Sequence, residues 1–235
     1  MDLVKSGDTL ALHGAGGGNV EADLLIRTLA GKFEEMGQPR DLTLFHVSGL
    51  GDWKSTGLNF LTGEGLVKRN VGGHYGMSPK YAQLILDNKI EAYNWPQGVM
   101  SQWLREVAGG RPGLITHIGL HTFVDPRVEG GKLNARTTED LIEVVTLAGR
   151  EWLFYRAFPF NVCFIRGTTA DEKGNLTLEQ EPAFLEVLPM AMATRNSGGI
   201  VIAQVKRLAQ SGTLPAKMVK VPHTLVDHIV VHPGQ

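Results

Sequence analysis

The stretch "TLALHGAGGGNVEADLLIRTL", residues 9–29, decides the fold, because an apolar run, a glycine loop and an amphipathic segment follow one another in it. The run at 9–12 predicts a short buried strand. From Glu21 onward apolar residues recur at helical spacing, and Asn19 stands where a helix N-cap is expected. A second apolar run at 42–47, "LTLFHV", completes a strand, loop, helix and strand. Such a βαβ unit predicts a parallel sheet that is covered by helices.

The same alternation of apolar runs and amphipathic segments continues along the chain. The runs "NVCFIRG" and "GGIVIAQV" are apolar throughout, which is typical of strands buried on both faces. A hairpin turn is predicted at Gly149 and Arg150, and the helix predicted near 183–196 is interrupted by Pro189. We therefore expect one α/β domain over residues 1–235, built on an open, mostly parallel sheet flanked by helices. The other predicted elements are helices at 81–86 and 99–107 and strands at 91–95 and within "HIVVHPGQ".

The composition is that of an ordinary globular protein, with 43% hydrophobic and 20% charged residues. A net charge of -1 provides no broad electrostatic surface for nucleic acid or for an anionic membrane. The single cysteine, Cys163, excludes a disulfide within the chain and suits a reducing compartment. Neither a secretory leader nor an apolar run of about 20 residues occurs. We therefore expect a cytoplasmic protein with no nucleic-acid and no membrane partner.

The glycine loop itself allows three interpretations. Backbone N–H groups between a strand and a helix can approach an anion, and the helix N-terminus favours negative charge there. A dinucleotide-binding domain would use Gly14 to Gly18, although Asn19 stands where that fingerprint has its last glycine. Close packing of the backbone would explain the glycines without any ligand. A P-loop is excluded, since no Lys–Ser/Thr pair follows.

The histidines raise the question of a metal site. His117 and His121 are four residues apart and close in sequence to Asp125. However, Gly119 lies between them and no Glu follows His117, which argues against a helix of the HExxH type. We therefore expect no metal site. Three further histidines stand beside turns or glycine runs and are interpreted as structural or substrate-facing: His13, His46 and His74.

A more specific candidate is Gln97 in "NWPQGVMSQWLREVAGG", residues 94–110. Pro96 stiffens a turn, and Gln97 presents an amide there before a helix begins. A glutamine at a turn between a strand and a helix can donate an N–H to a carboxylate or to an acyl oxygen. The alternative is an exposed turn residue without a ligand.

Five ordered stretches over essentially the whole chain carry a family resemblance: "KSGDTLALHGAGGGNVEADLLIRTL", "NWPQGVMSQWLREVAGG", "GLITHIGLHTFVDPRVEGGKLN", "IRGTTADEKGNLTLEQE" and "NSGGIVIAQVKRLAQSG". Together they resemble the alpha-type, N-terminal half of a family I coenzyme A transferase, most closely that of single-chain acetate or propionate CoA-transferases. The family's glycine loop more often reads GGF, whereas Gly16 and Gly17 are followed here by Gly18. The resemblance implies an open α/β sheet of the CoA-transferase (NagB/RpiA-like) fold, one half of a pseudo-symmetric pair.

The resemblance also implies a mechanism. A glutamate of the beta-type half attacks the acyl-CoA carbonyl, the resulting anhydride is converted to a glutamyl-CoA thioester, and a second carboxylate takes over the coenzyme A. Coenzyme A is thus a substrate, and neither a cofactor nor a metal is implied. Glu64 in "TGEGL" superficially resembles the ExG-type motif of this nucleophile, but its position in the chain is wrong. We therefore expect no catalytic residue and no beta-type half within residues 1–235.

By motif match, the resemblance implies contacts to substrate or coenzyme A for ten residues: Gly16, Gly17, Gly18, Asn19, Gly72, Gly73, His74, Gln97, Gly119 and Thr122. Gln97 corresponds to the glutamine of the family's PQG motif, near the carboxylate substrate. The other nine are loop positions at strand ends, where an open sheet places its ligands. The implied partners are acyl-CoA, short-chain carboxylates, a fused or separate beta-type half and further copies of the chain. The alternative function is a non-catalytic acyl-CoA-binding or assembly module of the same fold.

Overall fold

The computed structural model describes residues 2–235. Its strands are β1 (Thr9–Leu12), β2 (Leu42–His46), β3 (Val67–Gly72), β4 (Glu91–Asn94), β5 (Gly113–Thr116), β6 (Ile142–Leu147), β7 (Arg150–Arg156), β8 (Val162–Asp171), β9 (Leu176–Thr177), β10 (Ile200–Ala209), β11 (Val219–Val221) and β12 (His228–Val231). Its α-helices are α1 (Asp23–Met36), α2 (Pro79–Leu86), α3 (Gln97–Ala108) and α4 (Val187–Asn196), with short 3-10 helices at Gly57–Phe60, Ala216–Met218 and His223–Leu225. No helix among these residues has the length and apolar character needed to cross a membrane.

The main sheet is mostly parallel, as the sequence predicts. Parallel neighbours run in the order β12-β10-β8-β1-β2-β3-β4, and β9 and β11 extend one end of β8 in antiparallel fashion. The first strand lies in the middle, because Leu10 pairs with Leu44 on one side and with Val162 on the other. The apolar runs "NVCFIRG" and "GGIVIAQV" form β8 and β10, which are adjacent.

Successive side chains of β1 face two separate cores. Leu10 and Leu12 pack with the buried face of α1, whereas Ala11 belongs to the core beneath α3 and α4. This alternation follows from the strand period of two residues. Helices therefore cover both faces of the sheet, which confirms the predicted α/β architecture.

Helix α1 begins later than the sequence predicts. Its N-cap is Ala22, and the prediction of Asn19 as N-cap is wrong. The Asn19 side chain instead donates from Nδ2 to the carbonyl oxygen of Gly16 at 2.8 Å, so it closes the glycine loop. The helix ends at Gly37, whose φ of 67° is the left-handed conformation that glycine favours after a helix.

Two further local predictions need correction. Pro189 lies in the first turn of α4 and does not interrupt it, since the first N–H groups of a helix have no intrahelical partner to lose. The residues 183–186 precede this helix rather than belonging to it. The hairpin between β6 and β7 turns at Ala148 and Gly149, which both have positive φ, while Arg150 already belongs to β7.

A second, antiparallel sheet of strand order β5-β7-β6 packs against the first. Aromatic side chains fill the junction: the rings of Phe45 and Trp103 are stacked with centroids 5.1 Å apart, and Tyr155 meets Trp95 edge-on at 5.2 Å. The connection from β5 to β6 covers the free edge of β4, where Lys132 bridges to Tyr93. The second sheet thus positions a long connection beside the first.

Candidate functional site

The parallel arrangement brings the loops that follow β1, β2, β3 and β4 to one edge of the main sheet. These loops cover residues 13–22, 47–56, 73–78 and 95–96. Ligands of open α/β sheets bind beyond the carboxyl ends of the strands. Eight of the ten predicted site residues lie on or directly beside these loops: Gly16, Gly17, Gly18, Asn19, Gly72, Gly73, His74 and Gln97.

The glycine loop is joined to the loop after β2 through Gly51. The Gly17 N–H donates to the Gly51 carbonyl at 2.8 Å, and the Gly51 N–H donates to Oε1 of Glu21 at 2.8 Å. The contact is close, because a Cβ at Gly14 would lie 2.7 Å from Cγ of Glu21 and 2.9 Å from Cδ2 of Leu50. Glycine at position 14 is thus needed for the close approach of these loops.

The loop after β3 packs against the same two loops. A Cβ at Gly16 would lie 2.6 Å from Cε of Met77, and one at Gly49 would lie 2.6 Å from Cδ2 of His74. The Trp53 N–H donates to the Met77 carbonyl at 2.8 Å. The His74 side chain is exposed. The structure therefore places His74 against Gly49 of the loop after β2, and Met77 against Gly16 of the glycine loop.

Gln97 lies beside the loop after β3. A Cβ at Gly73 would collide with the Val47 carbonyl oxygen and would lie 2.6 Å from Cγ of Gln97. The sequence predicts Gln97 in a turn, but it is the first residue of α3, which follows Pro96 directly. It is exposed, and no side chain caps the helix N-terminus. The amide of Gln97 and the first N–H groups of α3 are therefore available as donors.

Gly119 and Thr122 lie apart from this group, on the connection that follows β5. Thr122 Oγ1 donates to the Gly119 carbonyl at 2.8 Å. A Cβ at Gly119, where φ is 102°, would collide with Val124 and would lie 2.7 Å from the hydroxyl oxygen of Tyr155. These two predicted residues are therefore positioned by the second sheet, and the other eight by the first.

His117 and His121, on the same connection after β5, each contact another protein group. The ring of His117 meets Trp152 edge-on, with centroids 6.2 Å apart. The backbone N–H of His121 donates to Oδ2 of Asp125 at 2.9 Å. The Arg127 guanidinium holds the pKa of the Asp125 carboxyl well below its usual range. In the described part of the chain, no three His, Cys, Asp or Glu side chains form a group that could hold a metal ion.

His13, His46 and His74, the other histidines interpreted from the sequence, divide into two kinds. His13 is buried and hydrogen-bonds through Nε2 to the Phe184 carbonyl at 3.1 Å; His46 is buried with Nδ1 donating to the Ser48 carbonyl at 2.8 Å. Burial lowers the pKa of each to about 4, so both imidazoles are neutral at physiological pH. His74 alone of these three is exposed to solvent.

Glu21 is a buried acid that the sequence does not identify as part of the site. Its side chain is fully buried, with Oε1 on the Gly51 N–H and Oε2 without a hydrogen-bond partner among residues 2–235. Burial raises its pKa to about 7, against the lowering effect of the Gly51 and Gly18 N–H groups. The only sequence signal is an acid inside the apolar pattern "NVEADLL".

The carboxylates that flank these loops do not suit a nucleophile. Glu21 is inaccessible, and Oδ1 of Asp52 accepts the backbone N–H groups of residues 54–56, which hold its pKa below the usual range. Glu64 is exposed, but it lies on the turn before β3 begins, at the opposite edge of the sheet. What these loops supply is a polar wall of backbone N–H groups, an amide and an imidazole.

Comparison with known proteins assigns the chain to a family. The coenzyme A transferase family model matches residues 1–232, so the chain belongs to the coenzyme A transferase family. This membership favours the transferase interpretation of the glycine loop over the dinucleotide-binding one.

Three relatives are informative. The chain is 47% identical over its whole length to the acetate CoA-transferase YdiF of Escherichia coli (strain K12) and covers 44% of that protein. It is 44% identical over 229 residues to the caffeate CoA-transferase of Acetobacterium woodii, covering 97% of this chain and 44% of that one. It is 27% identical over 192 residues to the acetate CoA-transferase subunit alpha of Escherichia coli (strain K12), covering 82% of this chain and 78% of the subunit.

A solved structure agrees with this picture. The crystal structure of the acyl-CoA transferase YdiF apoenzyme from Escherichia coli O157:H7 superposes with a TM-score of 0.97 at 46% identity, covering 100% of this chain and 45% of that one. The chain thus spans less than half the length of the first two relatives, but more than three quarters of the alpha subunit.

Proposed function

We propose that this chain is the alpha-type half of an acyl-CoA:carboxylate CoA-transferase, which moves coenzyme A between short-chain acyl-CoA and acetate-like acids. Family membership supports the reaction class. The names of an acetate CoA-transferase and of an acetate CoA-transferase subunit alpha support both the acid and the alpha-type role. Another relative is a caffeate CoA-transferase, so the size of the acid that this chain accepts has to be measured.

One observation carries the proposal. The loops at the carboxyl edge of the sheet join donors for an acyl-CoA or a carboxylate, yet the two acids within them, Glu21 and Asp52, are respectively buried and held by backbone N–H groups. A covalent mechanism through a glutamyl-CoA thioester needs an accessible carboxylate. We therefore infer that a second, beta-type half supplies this glutamate, either fused to this chain or as a separate subunit.

In this proposal the residues of this chain bind and orient the substrates. The amide N–H of Gln97 donates to the carboxylate or to the acyl oxygen, and the N–H groups at the start of α3 stabilise the developing oxyanion. The glycine loop, with Gly16 to Gly18 and Asn19, lines the acyl-CoA. Gly119 and Thr122 contact the substrates, in this proposal, from the connection that follows β5. Coenzyme A enters as substrate, and the chemistry requires neither a metal nor a cofactor.

The proposal also covers the cellular compartment and the partners of this chain. The buried, unpaired Cys163 suits a reducing compartment, and we propose the cytoplasm. Association with the beta-type half, and with further copies of the complete transferase, is part of the proposal. Nucleic acid and membrane are not partners in it.

The test is acetate-dependent exchange of coenzyme A from propionyl-CoA. Residues 1–235 alone are expected to give no turnover, and mixing them with the beta-type half is expected to restore it. Within that complex Gln97→Ala lowers kcat/KM, whereas Gln102→Ala, an exposed glutamine of the same helix, leaves it unchanged. The loss for Gln97→Ala is on the order of tenfold, the value of one or two hydrogen bonds.

Robust turnover by residues 1–235 alone would contradict the division of labour. Binding of acyl-CoA without turnover, both by residues 1–235 alone and after mixing with the beta-type half, would instead support the non-catalytic module. Equal effects of the two glutamine substitutions would show that the amide of Gln97 is not used.

A further inference from the structure

Gly51 is the point at which three loops of the site meet. Its carbonyl accepts the Gly17 N–H at 2.8 Å and its N–H donates to Oε1 of Glu21 at 2.8 Å. From the third loop, Ser78 Oγ donates to the adjacent Leu50 carbonyl at 2.6 Å and would collide with any Cβ at Gly51. With φ at 117°, this position admits only glycine without strain. Among these contacts, Glu21 alone holds the Gly51 N–H.

Glu21 occupies this position at an electrostatic cost. Its side chain is completely buried, and Oε2 finds no hydrogen-bond partner within residues 2–235. An ionised carboxylate with one unpartnered buried oxygen is expensive, whereas the neutral acid is much less so. The geometry therefore suits the neutral form.

The charged groups around Glu21 do not offset a negative charge on it. Asp23, the first residue of α1, and Asp52 of the loop after β2 both raise its pKa. Arg166 reaches from β8 and donates to the main-chain carbonyl of Glu21 at 3.3 Å, but its Nε is paired with Glu181 at 3.1 Å. Arg166 is thus already paired with another carboxylate.

We propose that neutral Glu21 is a positioning residue for the transfer reaction, since it fixes the Gly51 peptide and with it the spacing of the three loops that line the substrates. The inference rests on the proposed function, because it names a residue of that same site. Ionisation of Glu21 places an unpartnered negative charge in this buried position and draws in water, and the loops lose their productive spacing. A displacement of about 1 Å at such a wall costs on the order of 10²-fold in rate.

The experiment compares Glu21→Gln, Glu21→Ala and the exposed-residue control Glu64→Gln in the complete transferase. The wild type is expected to lose kcat/KM as the pH rises above about 7, the pKa of Glu21. Glu21→Gln keeps an acceptor for the Gly51 N–H and does not titrate, so it retains activity at high pH. Glu21→Ala loses at least tenfold at every pH, and Glu64→Gln follows the wild type.

The outcomes separate this inference from the proposed function. An alkaline loss that persists in Glu21→Gln, a flat wild-type profile between about pH 6 and 9, or wild-type kcat/KM in Glu21→Ala overturns the positioning role. Absence of transfer by the wild-type complex contradicts the proposed function instead. If Glu21→Ala fails to fold, as judged by circular dichroism, the profile of Glu21→Gln still decides.

Discussion

Glu21 makes the stability of the folded chain depend on pH in a defined direction. Its pKa is about 7 in the folded state against an ordinary 4.5. Below pH 4.5 the carboxyl is protonated in both states; between pH 4.5 and 7 only the unfolded chain has released the proton. The free energy of unfolding therefore falls as the pH rises through this window, by about 3 kcal/mol.

Urea unfolding of the wild type and of Glu21→Gln measures directly how much Glu21 contributes to the pH dependence of the free energy of unfolding. The glutamine does not titrate, so the variant's stability relative to the wild type is expected to rise by about 3 kcal/mol from pH 4.5 to 8. Glu64→Gln, which changes an exposed acid, is expected to show no such trend. A difference between Glu21→Gln and wild type that is constant with pH would mean that Glu21 has the same pKa in the folded and the unfolded chain.

Single residues were predictable from sequence where the signal is local. Gln97, beside a Pro and before a predicted helix, is a candidate donor in the sequence, and the structure places it exposed at the start of α3. The role of Glu21 could not be predicted, because it depends on Gly51, 30 residues further along the chain. The sequence alone shows only an acid inside the apolar pattern "NVEADLL". Burial of His13 and His46 likewise depends on strand order.

The glycines of the loops test whether close backbone approach shapes the site. An alanine at Gly73 would collide with the Val47 carbonyl, a backbone atom that cannot swing away. An alanine at Gly16 would lie 2.6 Å from Cε of Met77, the free end of a flexible side chain. We therefore expect Gly73→Ala to displace the loop beside Gln97, and Gly16→Ala to displace mainly Met77.

Steady-state kinetics of the complete transferase distinguish the two substitutions. Gly73→Ala is expected to lower kcat/KM by on the order of 10²-fold, and Gly16→Ala by less than about tenfold. Thermal unfolding serves as the control, since overpacking at Gly73 is also expected to cost about 1 to 3 kcal/mol. Equal kinetic effects would argue that the site does not depend on the spacing of these loops.

Strands and helices could be predicted from the sequence where one physical signal dominates. The continuous apolar runs predicted β8 and β10, and amphipathic spacing predicted α1 and α3. Boundaries were less certain because side chains have alternative partners: the amide of Asn19 bonds within the glycine loop rather than capping α1. A proline was misjudged as a break in α4 because its position within the first turn is visible only once the helix start is known.

The whole molecule was predictable in class but not in detail. Alternating strands and helices indicated the open parallel sheet, which the structure confirms. The second sheet was missed apart from its hairpin, since β5 pairs with β7 across more than thirty residues and β6 has little alternation of buried and exposed side chains. Sequence order also could not show that Gly119 and Thr122 are held by a different sheet from the other eight site residues.

The central claim is that this chain forms one wall of an acyl-transfer site whose attacking carboxylate lies outside residues 1–235. Mass spectrometry can locate that carboxylate in the complete transferase after brief reaction with acetyl-CoA and proteolysis. We expect a coenzyme A or acyl adduct on a glutamate of the beta-type half and none on residues 1–235. A covalent adduct on any Asp or Glu within residues 1–235 would contradict the account.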